Sequence, residues 1–182
     1  LVIGVENTPT VIFDLMQFLV IDLGGVVGQI GMGQHGTAFA HAGMRMGPAI
    51  CYEGLYGDFY GDFVRRGAQF MAIISNDGWW GDTPGYKHLF TISRLRAIEH
   101  RRAIARSANT GMSGFISARG DIGETLGWEK RGVISAAVPL NSELTFYTRY
   151  GDYLGRISEY LTLLCVLYYI AYRVKRKNYL VK

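Results

Sequence analysis

The 182-residue chain is 49% hydrophobic and 19% charged, enough for one domain with a substantial core and one appended element. Its formal net charge of +4 is uneven: five of the 19 Lys and Arg residues lie between Arg173 and Lys182, which leaves the rest near neutral and excludes nucleic-acid binding. Two cysteines make no disulfide framework, and His35, His41, His88 and His100 fall in no HExxH or Cys-paired spacing, which excludes a metal site.

The chain opens without a Met on the strand-like Leu1–Val5, so it reads as a piece that begins inside a longer protein. Asn7-Thr8-Pro9 ends that strand as a turn. Apolar residues at 12, 13, 15, 16, 19, 20 and 23 then predict a helix with one buried face. From Leu23 to Gly43 seven glycines and no sustained period predict a loop or an extended pair. Gly31 to Gly36 spells G-x-G-x-x-G, but no clear strand precedes it and no convincing helix follows, so it is no dinucleotide site. Met44–Cys51 is a strand with a local irregularity at Gly47-Pro48.

Tyr56–Gly67 fits a short helix that ends on Arg65-Arg66-Gly67, cations in the last turn and glycine as stop. Phe70–Ser75 is a continuous apolar run, the pattern of a strand buried on both faces. Asn76–Gly85 is a loop rich in Gly and Trp. Thr83-Pro84 starts a helix expected to reach about Ser107, with apolar positions at 89, 92, 95, 98 and 104. Met112–Ala118 and Ile122–Leu126 are strands joined by a turn at Arg119-Gly120-Asp121, and Gly132–Leu140 is the next strand. Strands and helices in this order predict an α/β fold with mixed pairing.

The last segment breaks that pattern. Tyr160–Tyr172 carries no charge, and at ~1.5 Å per residue this core is about 20 Å long, short of the ~30 Å bilayer core. Arg173, Lys175, Arg176 and Lys177 follow at once, as a cytoplasmic flank would. Tyrosines cluster at both ends, and Arg156 can snorkel at the outer edge. A transmembrane helix over 154–173 with a basic tail at 174–182 is therefore expected behind a domain at 1–153. The alternative is an amphipathic helix packed on the domain. Cys165, inside this run, reads as a small hydrophobe.

Cys51 differs from Cys165: it ends a strand and enters a turn, where backbone N–H groups can hold a thiolate and an oxyanion. The ordered set around it is Cys51-Tyr52-Glu53, then Ser75-Asn76-Asp77-Gly78-Trp79-Trp80-Gly81, His88, Arg96-Ala97-Ile98-Glu99 and Arg106-Ser107-Ala108-Asn109-Thr110-Gly111. This set resembles the nitrilase superfamily and, within it, the apolipoprotein N-acyltransferase family. The resemblance implies an α-β-β-α sandwich, here its C-terminal part, followed by one transmembrane helix.

The resemblance also implies a Glu-Lys-Cys triad in which Cys51 is the nucleophile, while the Glu and the Lys both precede Leu1. Triad members act as a unit, so this chain alone is expected to be inactive. Glu6 matches an acidic residue that supports the site, although Leu-Val-Ile-Gly-Val-Glu lacks the family's Pro and shifts its Gly. Glu53 is expected to orient the triad Lys or to stabilise the first helical turn. The Tyr52 N–H is the expected oxyanion donor. Trp79 and Trp80 line the substrate or simply pack; Asn76, Asn109 and Gly111 give structural support. His88 reads as a hydrogen-bonded helix residue.

The implied reaction passes an acyl chain from a phospholipid donor, through a thioester on Cys51, to the α-amino group of a diacylglyceryl-cysteine on an apolipoprotein, with no metal or organic cofactor. The implied setting is the bacterial inner membrane, with a monomer whose catalytic domain is periplasmic and whose C-terminus is cytoplasmic. A soluble amidase of the same superfamily stays open, although Gly54-Leu55-Tyr56 replaces the Arg-Phe-Pro such enzymes carry. So does a non-catalytic membrane-tethered module.

Overall fold

The computed structural model describes residues 35–180. Leu1–Val5, the helix expected over 11–23, most of the glycine-rich stretch and Glu6 lie outside the described residues.

Six strands form one sheet in chain order. They are β1 (Phe39–His41), β2 (Met44–Ile50), β3 (Phe70–Ser75), β4 (Ile104–Ala108), β5 (Ser113–Ile116) and β6 (Ile122–Leu126). β2, β3 and β4 are parallel, and the remaining pairs are antiparallel. Parallel neighbours need crossover connections, and two helices supply them: α1 (Gly57–Arg65) and α2 (Pro84–His100). The glycine-rich stretch ends in the short β1, so its extended-pair reading holds over those residues. Gly47 and Pro48 pair in register with Met71 and Ala72, so the expected irregularity is absent. Proline is tolerated there because β1 pairs only as far as Met46, which leaves that side of Pro48 without a ladder partner among the described residues.

The core lies between one sheet face and the helices. Ala49, Met71, Ile73, Ile104 and Ile116 point from the strands toward Tyr60, Phe63 and Val64 of α1 and Phe90 and Ala97 of α2. The opposite face is apolar and uncovered among the described residues: Ile50 and Ile74, which pair in register, are 61% and 57% exposed. Phe70–Ser75 is thus buried on one face only among the described residues, which corrects the two-sided burial expected from its apolar run. This is one α layer on one β layer, half of the α-β-β-α sandwich, and the apolar second face is the one a second sheet would cover.

Two further expectations are corrected. α2 ends at His100 instead of reaching Ser107, because Arg101 adopts left-handed angles and Arg102 turns back beneath the helix end. The Arg102 guanidinium, fully buried, donates to the carbonyls of Ala68, His100, Arg101 and Glu143, which caps the open carbonyls of the last turn. Ile104, which fitted the helical spacing, faces the core from β4. The segment 132–140 forms no ladder, since no strand partner for it occurs among the described residues, and Val133 is 96% exposed. The helix start and the tight turn are as expected: Thr83 Oγ1 accepts from the Gly85 N–H at 3.3 Å, and Ser117 and Asp121 close the β5–β6 turn.

After β6 the chain returns across the helices. α3 (Phe146–Tyr150) brings Thr148 Oγ1 to 2.9 Å from the His100 Nδ1. The His100 ring stacks on Tyr60 at 5.0 Å, is fully buried, and has its pKa lowered to about 3 by burial and then by Arg96. α4 (Tyr153–Leu180) has 28 residues, about 42 Å at 1.5 Å each, so the helix is longer than its charge-free core suggested. Tyr153–Arg173 is long and apolar enough to cross a membrane by length and composition, and none of it is buried among the described residues.

Candidate active site

β2 delivers Cys51 to the C-terminal edge of the parallel strands, the side where open α/β sheets place their ligands. A five-residue 3₁₀ turn, Cys51–Leu55, begins at that point. Cys51 itself is half-buried and has φ 53°, a left-handed conformation that a side chain other than glycine adopts only under constraint. Glu53 holds the turn: its Oε2 accepts the Ile50 N–H at 2.7 Å. Ile50 offers no side-chain acceptor in return, so this is one half of a capping box. Tyr52 follows Cys51 in the first turn, where N–H groups have no partner within the turn itself.

β3 runs beside β2 in parallel and ends at Ser75, whose Oγ lies 3.8 Å from the Cys51 Sγ. The same Oγ donates to the Asp77 Oδ1 at 2.5 Å. Asp77 is completely buried and would be costly to keep charged alone. Arg106 on β4 neutralises it with two parallel hydrogen bonds at 3.0 Å, Nη1 to Oδ2 and Nη2 to Oδ1. Arg106 also donates to the Met112 carbonyl at 2.6 Å and lies over the Phe90 ring at 6.0 Å. Cys51, Ser75, Asp77 and Arg106 thus form one chain across three adjacent strands.

The three residues expected to support the site meet around this chain. The Asp77 N–H donates to the Asn109 Oδ1 at 3.1 Å, and the Asn109 Nδ2 donates to the Asn76 Oδ1 at 2.7 Å. Asn76 Oδ1 also accepts from the Gly78 N–H at 3.3 Å, and the Asn109 N–H donates to the Ser75 carbonyl at 3.2 Å. Gly111 lies directly against the Asp77 side chain; a Cβ there would overlap the carboxylate. Small size at 111 is therefore what lets Asp77 reach its buried position.

The two tryptophans end the short 3₁₀ turn Asp77–Trp80 that starts at the buried carboxylate. Trp80 is 39% exposed, with its ring against Gly85, where a Cβ would collide with it. Trp79 is 73% exposed and so remains available for a ligand. His88 is exposed on α2. A cleft of about 680 Å³ lies elsewhere, between the end of α2 and the start of α4, lined by Arg96, Glu99, Tyr147 and Asp152. Burial, partly opposed by Arg96, raises the Glu99 pKa there. Cys51 does not line this cleft, and size alone does not make it the reacting centre.

The sequence named Cys51, Tyr52, Glu53, Trp79, Trp80, Asn76, Asn109 and Gly111 but assigned no role to Ser75, Asp77 or Arg106. One signal was available: an Asp two residues beyond an apolar strand, with an Arg on a neighbouring apolar strand, since charges on such strands require each other.

The family model described as carbon-nitrogen hydrolase matches residues 14–144. A protein of Chlorobaculum tepidum named apolipoprotein N-acyltransferase is 45% identical over 109 residues, 60% of this chain and 20% of that one. One of Geobacter metallireducens with the same name is 34% identical over 109 residues, 59% of this chain and 21% of that one. The chain thus spans about a fifth of the length of these relatives. Among solved structures, an amidase from Nesterenkonia sp. aligns with a TM-score of 0.45 at 18% identity, covering 55% of this chain and 40% of that one. A Saccharomyces cerevisiae member of branch 10 of the nitrilase superfamily aligns with a TM-score of 0.48 at 20% identity, covering 56% and 40%.

Proposed function

The chain belongs to the carbon-nitrogen hydrolase family, and from that premise we propose that it is part of an N-acyltransferase acting on lipids through Cys51. The Cys51 thiolate attacks the ester carbonyl of a phospholipid acyl chain. A C–S bond forms, the ester C–O bond breaks, and the lysophospholipid leaves with a proton. The α-amino group of an N-terminal diacylglyceryl-cysteine on an apolipoprotein then attacks the thioester carbonyl. The amide C–N bond forms, the C–S bond breaks, and the amine's proton passes to the general base. That base is a Glu, with a Lys at the oxyanion, as the family resemblance implies.

The observation that carries this reading is the attachment of a strained, turn-heading cysteine to an exposed apolar helix in one chain. A membrane span over 154–173 brings the domain at 1–153 to the surface where a phospholipid donor and a lipidated acceptor both reside. The basic tail at 174–182 supports a C-terminus in the cytoplasm and a domain in the periplasm of the bacterial inner membrane. Trp79 is the residue exposed enough to meet an acyl chain, and the Tyr52 N–H donates to the oxyanion. Glu6 supports the site from the chain's opening segment. The names of the relatives support the choice of acceptor.

The test supplies the full-length parent protein, in lipid nanodiscs, with acyl-labelled phospholipid and a diacylglyceryl peptide. Transfer predicts label on the peptide's N-terminus that depends on Cys51. Release of free fatty acid with no labelled peptide identifies a hydrolase instead.

A further inference from the structure

The Ser75 hydroxyl has one hydrogen and two neighbours that can accept it: the Asp77 Oδ1 at 2.5 Å and the Cys51 Sγ at 3.8 Å. An O–H to a buried carboxylate at that shorter distance is a charge-assisted bond and takes the hydrogen. What Ser75 then presents to Cys51 is a lone pair, which the thiol hydrogen can meet. Asp77 does not depend on this bond for its charge balance, because Arg106 already holds both of its oxygens at 3.0 Å. Turning the Ser75 hydrogen away therefore leaves Asp77 still paired. Ser75 is 5% exposed, so no bulk water competes for it.

We propose that Ser75 is a positioning residue for Cys51: it accepts from the thiol at rest and, once the thiol has lost its proton to a base, turns its own hydrogen from Asp77 to the thiolate. The turn breaks one O–H···O bond, makes one O–H···S bond and moves no covalent bond. The left-handed backbone at Cys51 holds the sulfur over Ser75, and Asn109 fixes the Ser75 backbone through its carbonyl. The charged groups in this network and on the cysteine's own turn are Asp77, Arg106 and Glu53. The inference rests on reading Cys51 as the reacting sulfur.

The experiment uses the full chain in detergent with Cys165→Ser, so that iodoacetamide reports Cys51 alone, and records the alkylation rate against pH. Ser75→Ala is expected to move the midpoint of that profile up by about one pH unit, roughly tenfold in rate below it, and Ser75→Thr to move it most of the way back. An unchanged profile in a Ser75→Ala chain with unchanged circular dichroism overturns the proposal. Should the alanine variant fail to fold, the S–H Raman band of the unmutated Cys51 decides: a frequency lowered by donation to oxygen supports the proposal, and that of a free thiol overturns it. Neither readout involves acyl transfer. An unshifted profile with acyl label still forming on Cys51 in the parent sinks only this inference; a shifted profile with no label sinks only the transferase.

Discussion

Arg106 and Asp77 face each other across the gap from β4 to the end of β3 with two parallel hydrogen bonds of 3.0 Å, and their side chains are 2% and 0% exposed. Removing one partner leaves a buried charge. Arg106→Ala and Asp77→Ala should each lose about 3–5 kcal/mol of stability. The double variant should lose clearly less than the sum, and denaturant melts of the four proteins measure that coupling. Additive losses would mean that the pair is not coupled in solution.

The contact of Gly111 with Asp77 gives a subtler test. Gly111→Ala forces the carboxylate to move and should cost about 1–3 kcal/mol, and it should also change the alkylation rate of Cys51 through Ser75. Gly127→Ala is the control, since a Cβ there meets nothing within 4 Å. The two melting curves, with the alkylation rate of each variant, decide it.

His100 makes stability depend on pH. Its folded pKa is about 3, against 6.5 unperturbed, because burial and then Arg96 oppose its charge. Between these values the unfolded state binds a proton that the folded state does not, so stability falls as the pH drops through this window. The loss from pH 6.5 to 4 is on the order of 3 kcal/mol as an upper bound. His100→Gln should flatten the fall in the thermal midpoint over that range relative to the parent chain; equal slopes would contradict this account.

Cys165 lies midway along the apolar part of α4 and is exposed on the protein. If α4 spans a bilayer, a membrane-impermeant maleimide should leave Cys165 unlabelled in nanodiscs and label it after dissolution in detergent. Labelling at equal rates in both would place α4 outside the hydrocarbon.

Much of the sheet could be read from the chain. The strands expected at Met44–Cys51 and Phe70–Ser75, the helix stop at Arg65-Arg66-Gly67, the helix start at Thr83-Pro84 and the turn at Gly120 are all present, since each depends on local pattern and backbone preference. Where α2 ends was not readable, because Ile104 continues the helical spacing by coincidence, while the stop comes from the left-handed Arg101 and from an Arg102 guanidinium anchored on the carbonyls of Ala68 and Glu143, distant in sequence. Nor was the bare sheet face: a continuous apolar run looks the same whether one or both faces are covered. At the site, Cys51, Asn109 and Gly111 stood out as part of an ordered set. Ser75, Asp77 and Arg106 lie in that set too, but their linkage was not readable, since it is made by the register of the strands and leaves no periodicity.

The most direct measurement is acyl label on the Cys51 peptide. The full-length parent is incubated with acyl-labelled phospholipid and no acceptor, quenched in acid and digested, and its peptides are read by mass spectrometry. A hydroxylamine-sensitive acyl group on Cys51, lost in Cys51→Ala and cleared by adding a diacylglyceryl peptide, is the predicted result. Label that persists in Cys51→Ala, or none on Cys51 while the peptide still becomes acylated, contradicts the account.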